Sequence, residues 1–445
     1  MFKRLFAGLG KAEPVPDLIA LQAAVVKSIA ADVPNLQDGE WEDREWVYLA
    51  VDHEVLVAAG RQSSTQAQVI ANKPGGELEE LGFRLSMESK AHLLALRDAM
   101  ADVDGKTWTV AHDPQVWREV ADNLLFNAGV RILFHTILTG VIMDGDRHRG
   151  VVIESNAGSV AIHAKRTIDA SGDAAAVARA GWDYFFGDDG RIQNPTMFFR
   201  LGNVDTDAFW SDYGDDTICP SRVTEQIVEE RNRGYDLPRE KIWIFSTPRE
   251  GELLVNATRL ADSDGRMLNV IDPEDFTIAE LLGRKQVRSY ADFLRRNLDG
   301  LERSFVVDTG VEAGIRQTRS IVAATTLTNE HVVECVKPDD GVVRSPWPIE
   351  LHDGARPKLH WLLDDYYEVP YLTLVPQQGE NIIVAGRCLG AQHEALASAR
   401  VTAQCFEYGN AAGLATVLSL AADTPYRDVD VAQLRFRLAA SGSAI

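Results

Sequence analysis

The sequence predicts an α/β protein in which a principal parallel sheet carries glycine turns and is interrupted by a second, mixed α+β lobe. Three observations carry this. Asn381-Ile382-Ile383-Val384-Ala385 is a short apolar run without alternation, the pattern of a parallel strand covered on both faces, and Gly386 closes it. Lys165 to Asp173 (KRTIDASGD) repeats the arrangement and feeds an alanine-rich continuation, AAAVARAG. Between the two, helix-like stretches near 221–234 and 273–298 separate strand-like pieces, which sets residues 191–364 apart as a second lobe.

The elements follow in order. Residues 1–105 form an atypical N-terminal region, with an amphipathic helix near 17–31, an acidic loop from Asp38 to Glu45, a hairpin around 46–59 and a polar helix near 86–102. Residues 106–190 supply the principal domain. Asp113 to Asn127 reads as a helix; Val130–Phe134, Gly150–Glu154 and Val160–Ala164 read as strands of a small sheet that returns to Ile168. Residues 365–425 complete that domain, re-entered near Tyr371, and 426–445 remain as a C-terminal tail. From Glu394 onward small residues favour helix. Gly409 and Gly413, four apart, share one helix face and permit close backbone approach.

Composition excludes several classes of function. A chain of 445 residues is long enough for two or three domains with a substantial core, and 45% hydrophobic with 25% charged residues is soluble and globular. A net charge of −21 repels nucleic acid and anionic membrane surfaces, so neither is an expected partner. No run approaches the roughly 18 apolar residues of a membrane span, and the apolar stretch of MFKRLFAGLGK is too short for a signal peptide, so a cytoplasmic location is expected. Cys219, Cys335, Cys388 and Cys405 show neither C-x-x-C pairing nor clustering with histidine, against a disulfide scaffold or a metal site. No Gly-x-Ser-x-Gly elbow, P-loop or kinase motif is present.

A strand, a glycine turn and a small-residue helix start can place backbone N–H groups where they hold a phosphate or a polar cofactor chain, although ordinary α/β packing uses the same unit. The two turns in this order resemble the glutathione-reductase-type family of FAD-dependent oxidoreductases, and most closely the branch described simply as the FAD-dependent oxidoreductase domain. The resemblance extends to GVRILFHTILTGVI (129–142), NPTMFFRLGNVD (194–205), GELLVNATRL (251–260), GIRQTRSIVAATTLT (314–328) and VPYLTLVPQQGENIIVAGRCLGAQHEALASARV (369–401), across residues 110–420. It implies a glutathione-reductase-type FAD-binding fold, FAD as cofactor, and a small-molecule substrate beside the second lobe.

One part of the family pattern is missing. Members begin with a Gly-x-Gly-x-x-Gly turn that binds the ADP half of FAD, and no intact copy exists here. Gly8-Leu9-Gly10-Lys11 has no room for a strand before it, and Pro14 and Pro16 interrupt the helix that should follow. Glu54 to Ser63 offers a hydrophobic strand and Ala-x-Gly-x-x-Ser, which keeps only Gly60. The N-terminal Rossmann unit is therefore incomplete or degenerate. A partner flavoprotein subunit supplying it, in an oligomer, is the favoured explanation.

The resemblance also assigns site residues. Ala170, Ser171, Gly172 and Asp173 match the turn beside the FAD pyrophosphate and ribityl chain, with Asp173 accepting from hydroxyls or capping the helix. Gly386 and Arg387 match the second flavin turn, Arg387 offering its fork to phosphate or ribityl oxygens. The helix that follows would aim its N-terminus at the flavin's pyrimidine edge. Cys388 and Arg400 belong to the same stretch; Cys388 and Cys405, where the family often carries cysteine, read as buried packing residues in preference to a redox pair. His393 and Glu394 are the candidate flavin-facing polar pair, His393 as a proton acceptor or a satisfied core histidine. Arg316 and Arg319 would hold an anionic substrate group or bridge domains. His352 is a second acid–base candidate. The expected function is hydride transfer from a small polar substrate to flavin; the alternative is a non-catalytic paralogous subunit that stabilises a flavoprotein partner.

Overall fold

A computed structural model describes residues 113–445 except 215, 353, 363, 364 and 444, together with the strand Val55–Ala59. The expected helices near 17–31 and 86–102, the acidic loop from Asp38 to Glu45, the first arm of the hairpin and Gly60 lie outside the described residues.

The chain runs through β1 (Val55–Ala59), α1 (Pro114–Asn127), the antiparallel sheet of β2 (Ile137–Asp144), β3 (Arg147–Ser155) and β4 (Gly158–His163), then β5 (Arg166–Ala170) and α2 (Ala175–Arg179). One boundary differs from expectation. Val130–Phe134 is not a strand: His135 takes a left-handed conformation (φ 58°), which turns the chain after Phe134, and pairing starts only at Ile137 opposite Glu154. Gly150–Glu154 and most of Val160–Ala164 do lie in β3 and β4.

The second section comprises β6 (Tyr184–Phe186), β7 (Phe199–Gly202), α3 (Thr206–Tyr213), α4 (Ser221–Asn232), β8 (Trp243–Ser246), β9 (Leu253–Asn256), α5 (Pro273–Asn297) and β10 (Phe305–Thr309). Strands β10, β7, β9 and β8 form an antiparallel sheet in that order. Helix α5 is started by Asp272, whose carboxylate accepts from the N–H groups of Glu274 (2.8 Å) and Asp275 (3.3 Å), with Pro273 at its first position. Val287, Tyr290 and Leu294, spaced for one face, bury against Phe199, Leu201, Ile244 and Val255 of the sheet. This core draws its buried residues from Met197 to Ala313, a shorter span than the expected 191–364.

The chain then forms β11 (Arg319–Ile321), α6 (Asn329–Val333), β12 (Gly341–Ser345), β13 (Ile349–Leu351), β14 (Lys358–His360), β15 (Tyr367–Pro370), β16 (Ile382–Val384), α7 (His393–Ala399), α8 (Thr402–Ala422) and α9 (Val431–Ala440). The principal sheet is β1-β5-β16, all parallel, so Ala59, Ala170 and Val384 end at the same edge. Its core gathers Ile168, Ile383 and Val384 with Val342, Val369, Tyr371, Leu396, Ala415, Leu434 and Leu438. The residues from Ile321 to Leu362 therefore pack with the principal domain, and 426–445 is no free tail, since α9 buries Leu434 and Leu438 in the same core.

The helix expected to run unbroken from Glu394 is split. Arg400 ends α7 and Val401 is extended (ψ 159°) before α8 begins. Gly409 and Gly413 do share α8, but a Cβ on either would meet no described atom within 4 Å, so no close backbone approach occurs there among the described residues.

Candidate functional site

The first glycine bend follows β5. Gly172 (φ 74°) and Ala174 (φ 50°) turn the chain into α2. Asp169, fully buried, accepts from the N–H groups of Ser171 (3.1 Å), Ala176 (2.8 Å) and Val177 (3.3 Å). Ser171 Oγ accepts from Asp173 (3.2 Å) and Ala175 (3.0 Å). Burial pushes the Asp169 carboxyl above its ordinary range, against hydrogen bonds that favour the anion. The amides expected to face a phosphate are thus largely closed by the bend's own side chains. Asp173 does not cap the helix; its Oδ1 accepts from the chain's own Thr318 Oγ1 at 2.6 Å.

The second bend follows β16. Gly386 has φ 104°, a conformation that glycine adopts most readily, and a Cβ placed there would meet no described atom within 4 Å. Arg387 reaches back across the sheet edge: its Nη2 donates to Asp173 Oδ1 at 2.6 Å, and its guanidinium lies where a Cβ on Gly172 would stand. Its fork is therefore spent on Asp173 rather than open to a ligand, while Nε is buried with no acceptor in the structure. A cofactor chain fits against bare backbone at Gly386 and against Arg387 Nε. With Arg387 in this position it does not fit against Gly172.

Arg316 and Arg319, expected as a pair, part company. Arg319 Nη1 approaches Asp173 O (3.3 Å) and its guanidinium lies 5.0 Å from the centre of the Tyr184 ring. Arg316 turns inward, donating to Asn194 O at 2.9 Å. There it joins Arg239, which donates to Asn256 Oδ1 (2.9 Å) and Lys241 O (2.9 Å) and stacks over Trp243 at 4.5 Å. Arg400, partly buried, donates to Gln193 Oε1 at 2.9 Å. Burial, and next the Arg239 and Arg400 charges, push the Arg316 guanidinium well below its ordinary range.

His352 lies in this cluster. It is buried, with Nε2 3.2 Å from Glu350 Oε1 and Nδ1 3.4 Å from Arg239 Nη2. Burial foremost, then the Arg316 charge, holds the imidazole neutral, well below its usual pKa. A neutral ring facing a carboxylate on one side and a guanidinium on the other has one consistent tautomer: Nε2 donates to Glu350 and Nδ1 accepts from Arg239. Glu350 is held down to about 2; burial opposes this, and the His352 contact with the Arg239 and Arg400 charges outweighs it.

His393 and Glu394 do not face one way. His393 is buried at the start of α7 against Gly187, where a Cβ would come within 3.1 Å of Nδ1. Glu394 is exposed and accepts from Asn329 Nδ2 at 2.8 Å. The N–H of Ala395 in the same first turn donates to Asn329 Oδ1 (2.9 Å). Ala170 is partly buried against the principal core. Cys388 is buried beside Asp169 O, and burial pushes its thiol up; Cys405 is raised to about 11 for the same reason.

Sequence reasoning gave no role to Arg239, Gln193 or Asp169. Asp169 carried a signal, a carboxylate at a strand end two residues before the turn. Arg239 carried none, because its partners sit 17 and 113 residues away.

A sequence profile of the FAD dependent oxidoreductase family matches residues 74–438. No curated protein matches the chain. Among solved structures, the chain is similar to a geranylgeranyl bacteriochlorophyll reductase-like protein from Thermoplasma acidophilum (13% identity, 73% of this chain and 58% of that one, TM-score 0.38). It is similar also to a flavin-dependent brominase (10% identity, 86% of this chain and 76% of that one, TM-score 0.40) and to the p-nitrophenol 4-monooxygenase of Pseudomonas putida (11% identity, 91% of this chain and 78% of that one, TM-score 0.39). This chain thus spans less than two thirds of the first of the three. Among the described residues no helix is long and apolar enough to cross a membrane. With the match running from before α1 into α9, the chain belongs to the FAD-dependent oxidoreductase family and its cofactor is FAD.

Proposed function

We propose that the chain oxidises a small polar substrate, with FAD held at the edge where the parallel strands β1, β5 and β16 end. The observation that carries the reading is that edge itself: strands from three remote segments bring the Gly172 and Gly386 bends into contact through Arg387 and Asp173. Ligands of open parallel sheets sit at the carboxyl ends of the strands. The same strand order supports reading the domain as the glutathione-reductase type. Bound FAD would supply an acceptor for a hydride. Gly386 would give its backbone to the cofactor chain, with Arg387 Nε as a donor. His393, buried at the start of α7, would take the substrate proton, and Arg316 with His352 would orient the substrate. Glu394, exposed and tied to Asn329, would hold the start of α7.

Strand β1 bears on the missing ADP site. It lies next to β5, and Gly60 follows it directly in sequence. That placement supports a degenerate turn supplied by this chain over one supplied by a partner. The absorbance spectrum of the purified chain tests both. A yellow protein purified alone supports a self-sufficient site. Flavin that is retained only with a co-purified second subunit supports the shared site.

A second reading has its own support. Asp169 and Ser171 occupy the amides of the first bend, and Arg387 covers Gly172, as a subunit that had lost its cofactor would tolerate. Such a subunit would act by stabilising a flavoprotein partner. A colourless chain that remains colourless in every complex it forms is the outcome that selects this reading.

A further inference from the structure

We infer that Arg239, Arg316 and Arg400 form a binding site for the carboxylate of an organic acid, which names the substrate class for the oxidoreductase reading on which it rests. A buried guanidinium is costly unless a counter-charge is near. Among the described residues the three side chains are held by neutral acceptors: Asn256 Oδ1, Lys241 O and His352 Nδ1 for Arg239, Asn194 O for Arg316, Gln193 Oε1 for Arg400. None of the three forms an ion pair among the described residues. Among the described residues Glu350 is the one carboxylate whose field is felt by all of them, and it is already bonded to His352. The cluster therefore carries a surplus of positive charge away from bulk water, and the guanidiniums repel one another.

Gln193 to Thr196 is the seam that gathers these groups. Gln193 receives Arg400, the Asn194 carbonyl receives Arg316, and the Asn194 N–H donates to His352 O at 3.0 Å. Thr196 Oγ1 shares Asn256 Oδ1 with Arg239. Each guanidinium is thereby fixed before any ligand arrives, which suits recognition of a flat carboxylate by planar forks. Trp243, under Arg239, belongs to an apolar cluster with Phe198 and Phe245. That wall favours an anion with an organic body over a bare inorganic ion.

The test uses the full chain, with thermal unfolding followed in chloride, phosphate, succinate and benzoate at matched ionic strength, and flavin content read separately from absorbance. Succinate or benzoate is expected to raise the midpoint saturably above chloride and phosphate. Arg316→Gln and Arg400→Gln are expected to raise the half-saturating carboxylate concentration at least about tenfold, the equivalent of about 1.4 kcal/mol, without changing flavin content. If neither carboxylate exceeds chloride in the wild-type chain, the site does not exist, and this arm holds even where the variants fail to fold. Phosphate acting at lower concentration than the carboxylates overturns the ligand class. Loss of flavin in the variants overturns the assignment by placing the arginines at the cofactor. A flavin-free chain that still responds to carboxylates upholds the site while sinking the oxidoreductase reading.

Discussion

Arg387 and Asp173, 214 residues apart in sequence, meet at 2.6 Å across the edge of the principal sheet. The arginine follows one glycine bend and the aspartate closes the other, so one ion pair fixes the separation of the two turns. Thr318 adds a second donor to the same carboxylate oxygen, tying in the segment that leads to β11. Both charges are mostly sheltered from water, which makes the pair worth more than a surface contact.

Breaking this pair is expected to destabilise the chain and loosen the site together. A double-mutant cycle of Arg387→Ala and Asp173→Ala, read by denaturant unfolding, should give a coupling of about 1–3 kcal/mol. Additive effects of the two substitutions would show that the contact does not hold the turns.

Asp169 closes three amides at the first bend. Asp169→Ala is expected to cost about 2–4 kcal/mol, a cap loss combined with unsatisfied buried N–H groups. A loss below about 0.5 kcal/mol in equilibrium unfolding would contradict the geometry.

Gly386→Val tests the second bend. The φ of 104° strains a branched residue by roughly 1–3 kcal/mol, and its side chain would enter the space assigned to the cofactor. Flavin retained after desalting should fall to near zero, and Gly386→Ala should fall between wild type and valine. Full retention in a folded Gly386→Val chain would exclude that bend from the site.

His393→Gln is expected to lower turnover of an oxidised substrate by about 10²–10⁴-fold while leaving flavin content unchanged. Unaltered turnover would remove His393 from proton transfer.

His148 gives a pH dependence with a definite sign. It is buried beneath β5, Nδ1 3.2 Å from Thr167 Oγ1, and burial lowers its pKa to about 4. The unfolded imidazole gains a proton below about 6.5, whereas the folded one stays neutral until about 4, so stability falls as pH drops through that window. The loss attributable to this residue is about 3 kcal/mol at pH 4. Urea midpoints from pH 7 to 4 should decline less in His148→Gln than in wild type; parallel declines would deny the residue this role.

Much of the framework was legible because it is local. The uninterrupted apolar run at Asn381–Ala385 and the alternation of strand, glycine and alanine at 165–180 each encode one buried parallel strand and one turn. Helix α5 was expected near 273–298 and spans Pro273–Asn297. What was not legible is long-range. Nothing near Arg239 shows that it will meet His352, and the three-residue spacing of Arg316 and Arg319 does not reveal that one faces inward and the other the sheet edge. Boundaries failed where a single backbone angle decided them, as at His135. The packing of Ile321–Leu362 with the principal domain depends on β12 finding β15, a pairing across a turn-rich stretch with weak periodicity.

The parallel sheet also orders events during synthesis. Strand β5 lies in the middle, but its neighbours come from positions 55–59 and 382–384, far apart along the polypeptide. A ribosome-bound chain that stops short of Asn381 has one flank of β5 bare and lacks Gly386 and Arg387 altogether. Completion of the sheet is therefore a step that waits for the whole stretch between β5 and β16 to be made, and a chain cut short within it leaves an open strand edge prone to association.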